Sequence, residues 1–384
     1  MMKTYRIGIL AACAAAVGIA LLGLAIVALA TAGGRGGGEG ARGAASMEAA
    51  ASTAASAAAS AAPESSGYHL IKKIKLGGSG GWDYIAFDSA TRRLFISRGT
   101  EVVVVDVDSE KIVGQIPNTQ GVHGIAFAPQ LNRGFISDGR TGDVTIFDMK
   151  TLATIDTVKA GENPDGIIFD PSSSRVFAMN GRSKSATAID AASGKAVGTV
   201  PVDGKPEYAV ADGRGNVYVN IEDKSEIQEI DAQKLTIKAT WPLAPCEEPS
   251  GLAIDREHLR LFAGCGNKMM AVVDADTGKV IATPAIGEGV DANRFDPGTG
   301  YAFASCGGSG VLTIVHEDAP DTFRVVEDLP TQRGARTMAL DLKTHEVFLV
   351  TADFGPPPAP TEANPHPRPS IMPDSFVVLM YGQK

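Results

Sequence analysis

The chain has 384 residues, 44% hydrophobic, 21% charged and 6% aromatic, a globular composition that excludes whole-chain disorder, a collagen-like rod and a multispanning membrane protein. Formal net charge is −9, and −10 once the first 67 residues, with four Lys/Arg and three Glu, are set aside. Such a chain has no electrostatic footprint for phosphate backbones, so nucleic acid is not favoured as a partner.

The first element is a targeting segment. Lys3 and Arg6 precede an uncharged run of 24 residues, Ile7 to Ala30. As a helix that run reaches about 36 Å, against about 30 Å of hydrocarbon. A cleavable signal core is usually about 7–15 residues long, so residues 7–30 are expected to anchor the chain in the inner membrane. Cleavage after Ala28-Leu29-Ala30 is the alternative, and Leu10-Ala11-Ala12-Cys13 is not favoured as a lipidation site. In both readings residues 1–30 are a signal peptide or anchor, the only part that meets the membrane, and the remainder is periplasmic or extracellular. Residues 31–67 hold 14 Ala, 8 Gly and 6 Ser, too few core formers to fold. They read as a flexible linker with a reach of about 30–35 Å.

Residues 68–384 are a sevenfold repeat. Aligned on Phe87-Asp88, Phe169-Asp170-Pro171 and Phe295-Asp296-Pro297, they give the column Asp88, Ala128, Asp170, Asp212, Asp255, Asp296, Asp341, at successive spacings of 40, 42, 42, 43, 41 and 45 residues. Five residues earlier lies a chemically varied column: Asp83, His123, Asp165, Glu207, Ser250, Asp291, Arg336. A third column is wholly aromatic: Phe95, Phe135, Phe177, Tyr218, Phe262, Phe303, Phe348. A fourth runs Asp106, Asp148, Asp190, Asp231, Asp274, with His316 as the exception. Each copy holds four short β-branched and aromatic runs divided by Gly, Asp, Asn and Ser, which predicts an all-β fold: a seven-bladed β-propeller of four-stranded blades. The seventh copy is one strand short, and Tyr68 to Leu76 belongs to no complete copy. This N-terminal strand is therefore expected to complete the last blade and close the ring.

The unit Gly166-Ile167-Ile168-Phe169-Asp170-Pro171, Arg175-Val176-Phe177, Ala188-Ile189-Asp190 and Ser193-Gly194-Lys195 resembles the YVTN repeat of the YncE-like family of exported bacterial propellers. Val272-Val273-Asp274-Ala275-Asp276-Thr277-Gly278-Lys279 is similar in the fifth copy. The resemblance covers about residues 68–384 and implies fold and export, not a reaction.

Candidate sites follow from the propeller geometry. The uniform Asp columns read as turn formers. The varied column leads into the inner strands, and Asp83, His123, Asp165, Glu207, Asp291 and Arg336 are expected at one mouth of the channel. Mutual repulsion should raise some of these carboxyl pKa values. Asp83, His123, Asp165 and Glu207 could hold a divalent cation, the one cofactor the sequence suggests. Arg98, Arg140, Asn180 and Arg182, in loops around the ring, could clamp an anion. Trp82, Tyr84 and Tyr208 read as interblade packing or as a stacking surface. Arg294, at an apolar position of the sixth copy, calls for a carboxylate partner. The Pro-rich insertion Phe354 to Asp374 reads as a strip or lid across the mouth, with His366 near the ring. Cys246 and Cys265 are expected to form a disulfide, with Cys265–Cys306 as the alternative.

The functional expectation is a monomeric exported scaffold that binds a protein, glycan or small ligand at the channel mouth without turnover. The alternatives are a metal-dependent hydrolase of lactone type, with His123 or Glu207 as proton acceptor, and a redox-cofactor partner.

Overall fold

The computed structural model describes residues 65–361, 367 and 369–383. The targeting segment, the linker through residue 64 and His366 lie outside the described residues. Seven four-stranded antiparallel sheets form a seven-bladed propeller. The first strands of blades 1 to 7 are Ile85–Asp88, Val122–Ala128, Pro164–Asp170, Pro206–Ala211, Pro249–Asp255, Val290–Asp296 and Met338–Asp341. Strands of neighbouring blades face one another across shared hydrophobic clusters, so both faces of most inner strands are covered and clean polar alternation is lost.

Closure comes from both ends of the chain. His69–Lys75 pairs antiparallel with Val377–Gly382 as the outer strand of blade 7, with Lys73 opposite Leu379 and Ile74 opposite Val378. The linker ends slightly earlier than its composition suggests: Ser66 is buried and its hydroxyl donates to Glu327 Oε2 at 2.7 Å.

The repeat columns have physical causes. The aromatic column occupies the second strand of each blade, and all seven rings are 0–2% exposed. The Asp columns accept backbone N–H groups two or three residues on: Asp170 from Ser172 and Ser173, Asp255 from Glu257 and His258, Asp148 from Lys150 and Thr151. Each aspartate thus fixes the tight turn that follows its strand.

Candidate functional site

The inner strands carry a recurring irregularity that aims side chains into the channel. In five blades the pairing of first and second strands shifts register, between Val122 and Ile125, Pro164 and Ile167, Pro206 and Ala209, Pro249 and Leu252, and Val290 and Ala292. These bulges contain His123, Asp165, Glu207, Ser250 and Asp291. Asp83 and Arg336 each lie two residues before the shorter first strands of blades 1 and 7. A bulge re-aims a side chain that regular pleating would send into a neighbouring blade.

The ring is also fixed by its backbone. Ser97 Oγ donates to His123 O at 2.6 Å, Ser137 Oγ to Asp165 O at 2.5 Å, Asn220 Nδ2 to Ser250 O at 2.9 Å, and Ser305 Oγ to Arg336 O. Each bond runs from the second strand of one blade to the ring residue of the next. A Cβ at Gly124 or Gly166 would collide with the carbonyl of Asp165 or Glu207, so glycine lets adjacent inner strands close up at the ring.

At the mouth, His123 Nδ1 lies 2.5 Å from Asp83 Oδ2 and 3.7 Å from Asp165 Oδ1. Burial pushes the imidazole pKa down, but the Asp83 hydrogen bond and the charges of Asp165, Asp83 and Glu207 outweigh it and leave it at about 9. Arg336 pairs with Asp291 through NH1, while its NH2 lies 3.6 Å from Asp83 Oδ1 and donates to Trp82 O at 3.1 Å. Ser250 Oγ donates to Asp291 Oδ1 at 3.0 Å. Burial raises the carboxyl pKa values of Asp165, Glu207 and Asp291, with like charges adding to it in each case. Repulsion thus acts as expected but ranks behind desolvation.

Two groups that the sequence did not single out complete the ring. Lys205 bridges Glu207, at 3.1 Å, and Glu222. Asp138, at the end of the second strand of blade 2, is 2% exposed and accepts from Thr145 Oγ1 at 2.6 Å through Oδ2, while Oδ1 has no partner. Burial lifts its pKa to about 7. Neither residue stands in the ring column, so periodicity gives no signal for them.

Next to the ring, Tyr84 of blade 1 and Tyr208 of blade 4 meet with ring centroids 5.2 Å apart, beside a cavity of about 320 Å³ between the inner strands that Tyr208 and Arg294 help to line. Arg294 of blade 6 donates to Tyr208 Oη at 3.0 Å and to Asn293 O at 2.7 Å, with its guanidinium 5.0 Å from the Tyr208 ring centroid. Arg294 therefore takes a phenol and a carbonyl where a carboxylate was expected; the ring face offers a partly buried cation the remaining stabilisation. Burial and the four ring carboxylates push the Tyr84 hydroxyl pKa well up, so it stays protonated beside them.

The surrounding loop residues divide. Arg98 donates to Ser79 O at 2.7 Å and stacks 3.8 Å from the centroid of Phe376, a packing role. Asn180 is wholly buried, donating to Ser185 and Thr187 hydroxyls and accepting from Gly161 N–H. Arg140 and Arg182 are exposed. Trp82 packs on Phe354 and Phe376. Cys246 and Cys265 are joined by a disulfide, and Cys306 is a buried free thiol.

Beside the ring, the described part of the Pro-rich insertion walls a cleft of about 780 Å³, lined among others by Trp82, Arg333, Arg336, Asp353, Phe354 and Ile371. Its base is ordered by Gly355 N–H donating to Ser370 O and Met372 N–H to Asp353 O. Trp82 Nε1 is buried at this wall without a hydrogen-bond acceptor.

One donor atom each of Asp83, His123 and Asp165 lie within 4.8 Å of one another. One imidazole with two carboxylates suits a first-row divalent cation. Glu207 falls outside that set and is engaged by Lys205.

No family model matches this chain, and no curated protein matches it. Among solved structures it is similar to a chain of hydrazine synthase from Kuenenia stuttgartiensis, at 14% identity and TM-score 0.64, covering 71% of this chain and 92% of that one. It is also similar to a chain of the mitotic checkpoint complex, at 14% identity and TM-score 0.65, covering 73% and 88%. At such identities the likeness is one of fold.

Proposed function

We propose that this protein is an exported, monomeric propeller scaffold that binds a small anionic ligand with a flat or cyclic portion at the channel mouth, without turnover. The carrying observation is the 780 Å³ cleft beside the ring, whose lining brings Trp82 and Phe354 together with exposed Arg333 and with Arg336 and Asp353. Aromatic walls with a few placed polar groups are the usual chemistry of a ligand pocket. The YVTN-like repeat and the apolar run before the linker support export.

Trp82 is one of two tryptophans, so intrinsic fluorescence reports on the cleft. Glucuronate and benzoate are expected to shift the emission of the full chain, whereas glucose and benzyl alcohol are not. Arg333→Ala should weaken the anionic probes by about tenfold or more. Equal response to charged and neutral probes, or an unchanged affinity in Arg333→Ala, refutes the reading.

The convergence of Asp83, His123 and Asp165 favours a second reading, a metal-dependent hydrolase acting on a lactone. A bound cation would supply Lewis-acid polarisation of the carbonyl and an activated water. With His123 taken up as a ligand, Glu207 is the remaining proton acceptor, its pKa raised to about 8 by burial and by Asp165, so that it serves as a base only in mildly alkaline solution. Metal-replete protein that carries no stoichiometric metal removed by Asp165→Ala, and that leaves γ-butyrolactone intact, disposes of this reading without touching the first.

A further inference from the structure

Blade 6 departs from the repeat beside a second cluster, which lies at the opposite end of the blade 5 inner strand from the ring residue Ser250. Its third and fourth strands, Val311–Ala319 and Thr322–Pro330, have nine residues each, where the third strand of every other blade has six. Within this longer hairpin Glu317 follows His316 at the repeat position where blades 1 to 5 place Val107, Met149, Ala191, Ala232 and Ala275, and it meets the turn that follows the inner strand of blade 5. In that turn Asp255 caps the backbone as its column does elsewhere, but the third residue on is His258. In blades 1 and 7 a threonine stands there and donates its hydroxyl to the aspartate, Thr91 to Asp88 at 2.6 Å and Thr344 to Asp341 at 2.8 Å.

His258 Nδ1 lies 2.6 Å from Asp255 Oδ2 and 3.3 Å from Glu317 Oε1, and one donor atom from each of the three residues falls within 4.8 Å of the others. The Glu317 side chain is 4% exposed, yet its Oε2 has no hydrogen-bond partner. A buried carboxylate oxygen left bare is costly and calls for a positive partner. Arg260 is the nearby cation, but its nitrogens are committed: Nε to Pro320 O at 2.7 Å, NH1 to His258 O at 2.8 Å and Asp274 at 3.0 Å, and NH2 to Asp321 at 2.8 Å.

We infer that Asp255, His258 and Glu317 form a divalent-cation site that ties the turn of blade 5 to the extended hairpin of blade 6. One imidazole nitrogen with two carboxylate oxygens suits Zn²⁺ better than Ca²⁺, which takes oxygen alone. His258 is 42% exposed, so the open side of the site faces solvent and water can complete the coordination.

The test uses Zn²⁺ alone on the full chain, stripped with EDTA, with bound metal counted by atomic emission after equilibrium dialysis. Because the mouth ring also offers three donors, the background is Asp83→Asn with Asp165→Asn. That chain is expected to hold one equivalent of Zn²⁺ and to lose it when Glu317→Gln is added. His258→Asn, whose half-exposed side chain makes misfolding a smaller concern, should weaken binding at least about tenfold. If the doubly substituted background does not fold, the loss of one equivalent on Glu317→Gln in the otherwise native ring carries the same meaning. Retention of zinc in both Glu317→Gln and His258→Asn, or a cooperatively folded background that holds none, overturns the proposal.

Discussion

His123 sits where burial alone would leave an imidazole neutral, and Asp83 at 2.5 Å reverses that. The Asp83→Asn variant keeps the shape and removes the charge. The His123 pKa should then fall from about 9 by about one to three pH units, because a neighbouring carboxylate shifts a pKa by that much. An imidazole NMR titration checks this, and an unmoved midpoint would show that Asp165 and Glu207 suffice. The polar identity of the ring was legible in the sequence because its column varies while its neighbours do not. What aims His123, Asp165 and Glu207 inward is a register shift, a pairing property that no single strand's sequence displays. The partner of Arg294 is hidden from the sequence for a related reason: Tyr208 lies two blades away and comes within reach only in the folded ring.

The closing strand is the element on which that closure depends. Along His69–Lys75, Ile74 is 2% exposed and packs into the cluster with Phe348 and Val378, while Ile71 is 36% exposed on the outer edge. Ile74→Ala should destabilise the propeller by about 2–4 kcal/mol. Ile71→Ala should cost less than Ile74→Ala, since about a third of its surface stays in water and truncation leaves a smaller void. Urea denaturation of the two variants distinguishes them, and equal effects would mean that the strand does not seal blade 7. The strand itself was legible by counting: twenty-seven strands within the repeats leave one place to fill. The length of blade 6's hairpin and the wall built by the Pro-rich insertion were not, because insertions carry no period and their placement depends on the surface they fold against.

At the scale of the whole molecule, the shifted groups combine into one pH profile. His123 has a folded pKa of about 9 against an ordinary 6.5, so its contribution is complete below about pH 6.5 and lost as pH rises through 9. Asp138, raised from 3.8 to about 7 by burial, loses its contribution across that interval. Glu207, Asp165 and Asp291 are shifted the same way by burial, so all five groups disfavour folding as pH rises. The turn aspartates oppose them only in acid: backbone N–H bonds hold Asp106, Asp148 and Asp231 below the ordinary carboxylate range, a contribution lost as pH falls below about 4. Stability should therefore peak at mildly acidic pH and decline toward pH 9. His123 alone accounts for up to about 3 kcal/mol of that decline at 1.36 kcal/mol per pH unit. Urea midpoints of the full chain at pH 5, 7 and 9 measure the profile. Asp138→Asn should flatten the segment from pH 5 to 7, and His123→Gln the segment from pH 7 to 9. A wild-type chain as stable at pH 9 as at pH 5 would mean that the mouth is compensated by something other than its own protons, and a bound cation at Asp83, His123 and Asp165 would be the first place to look.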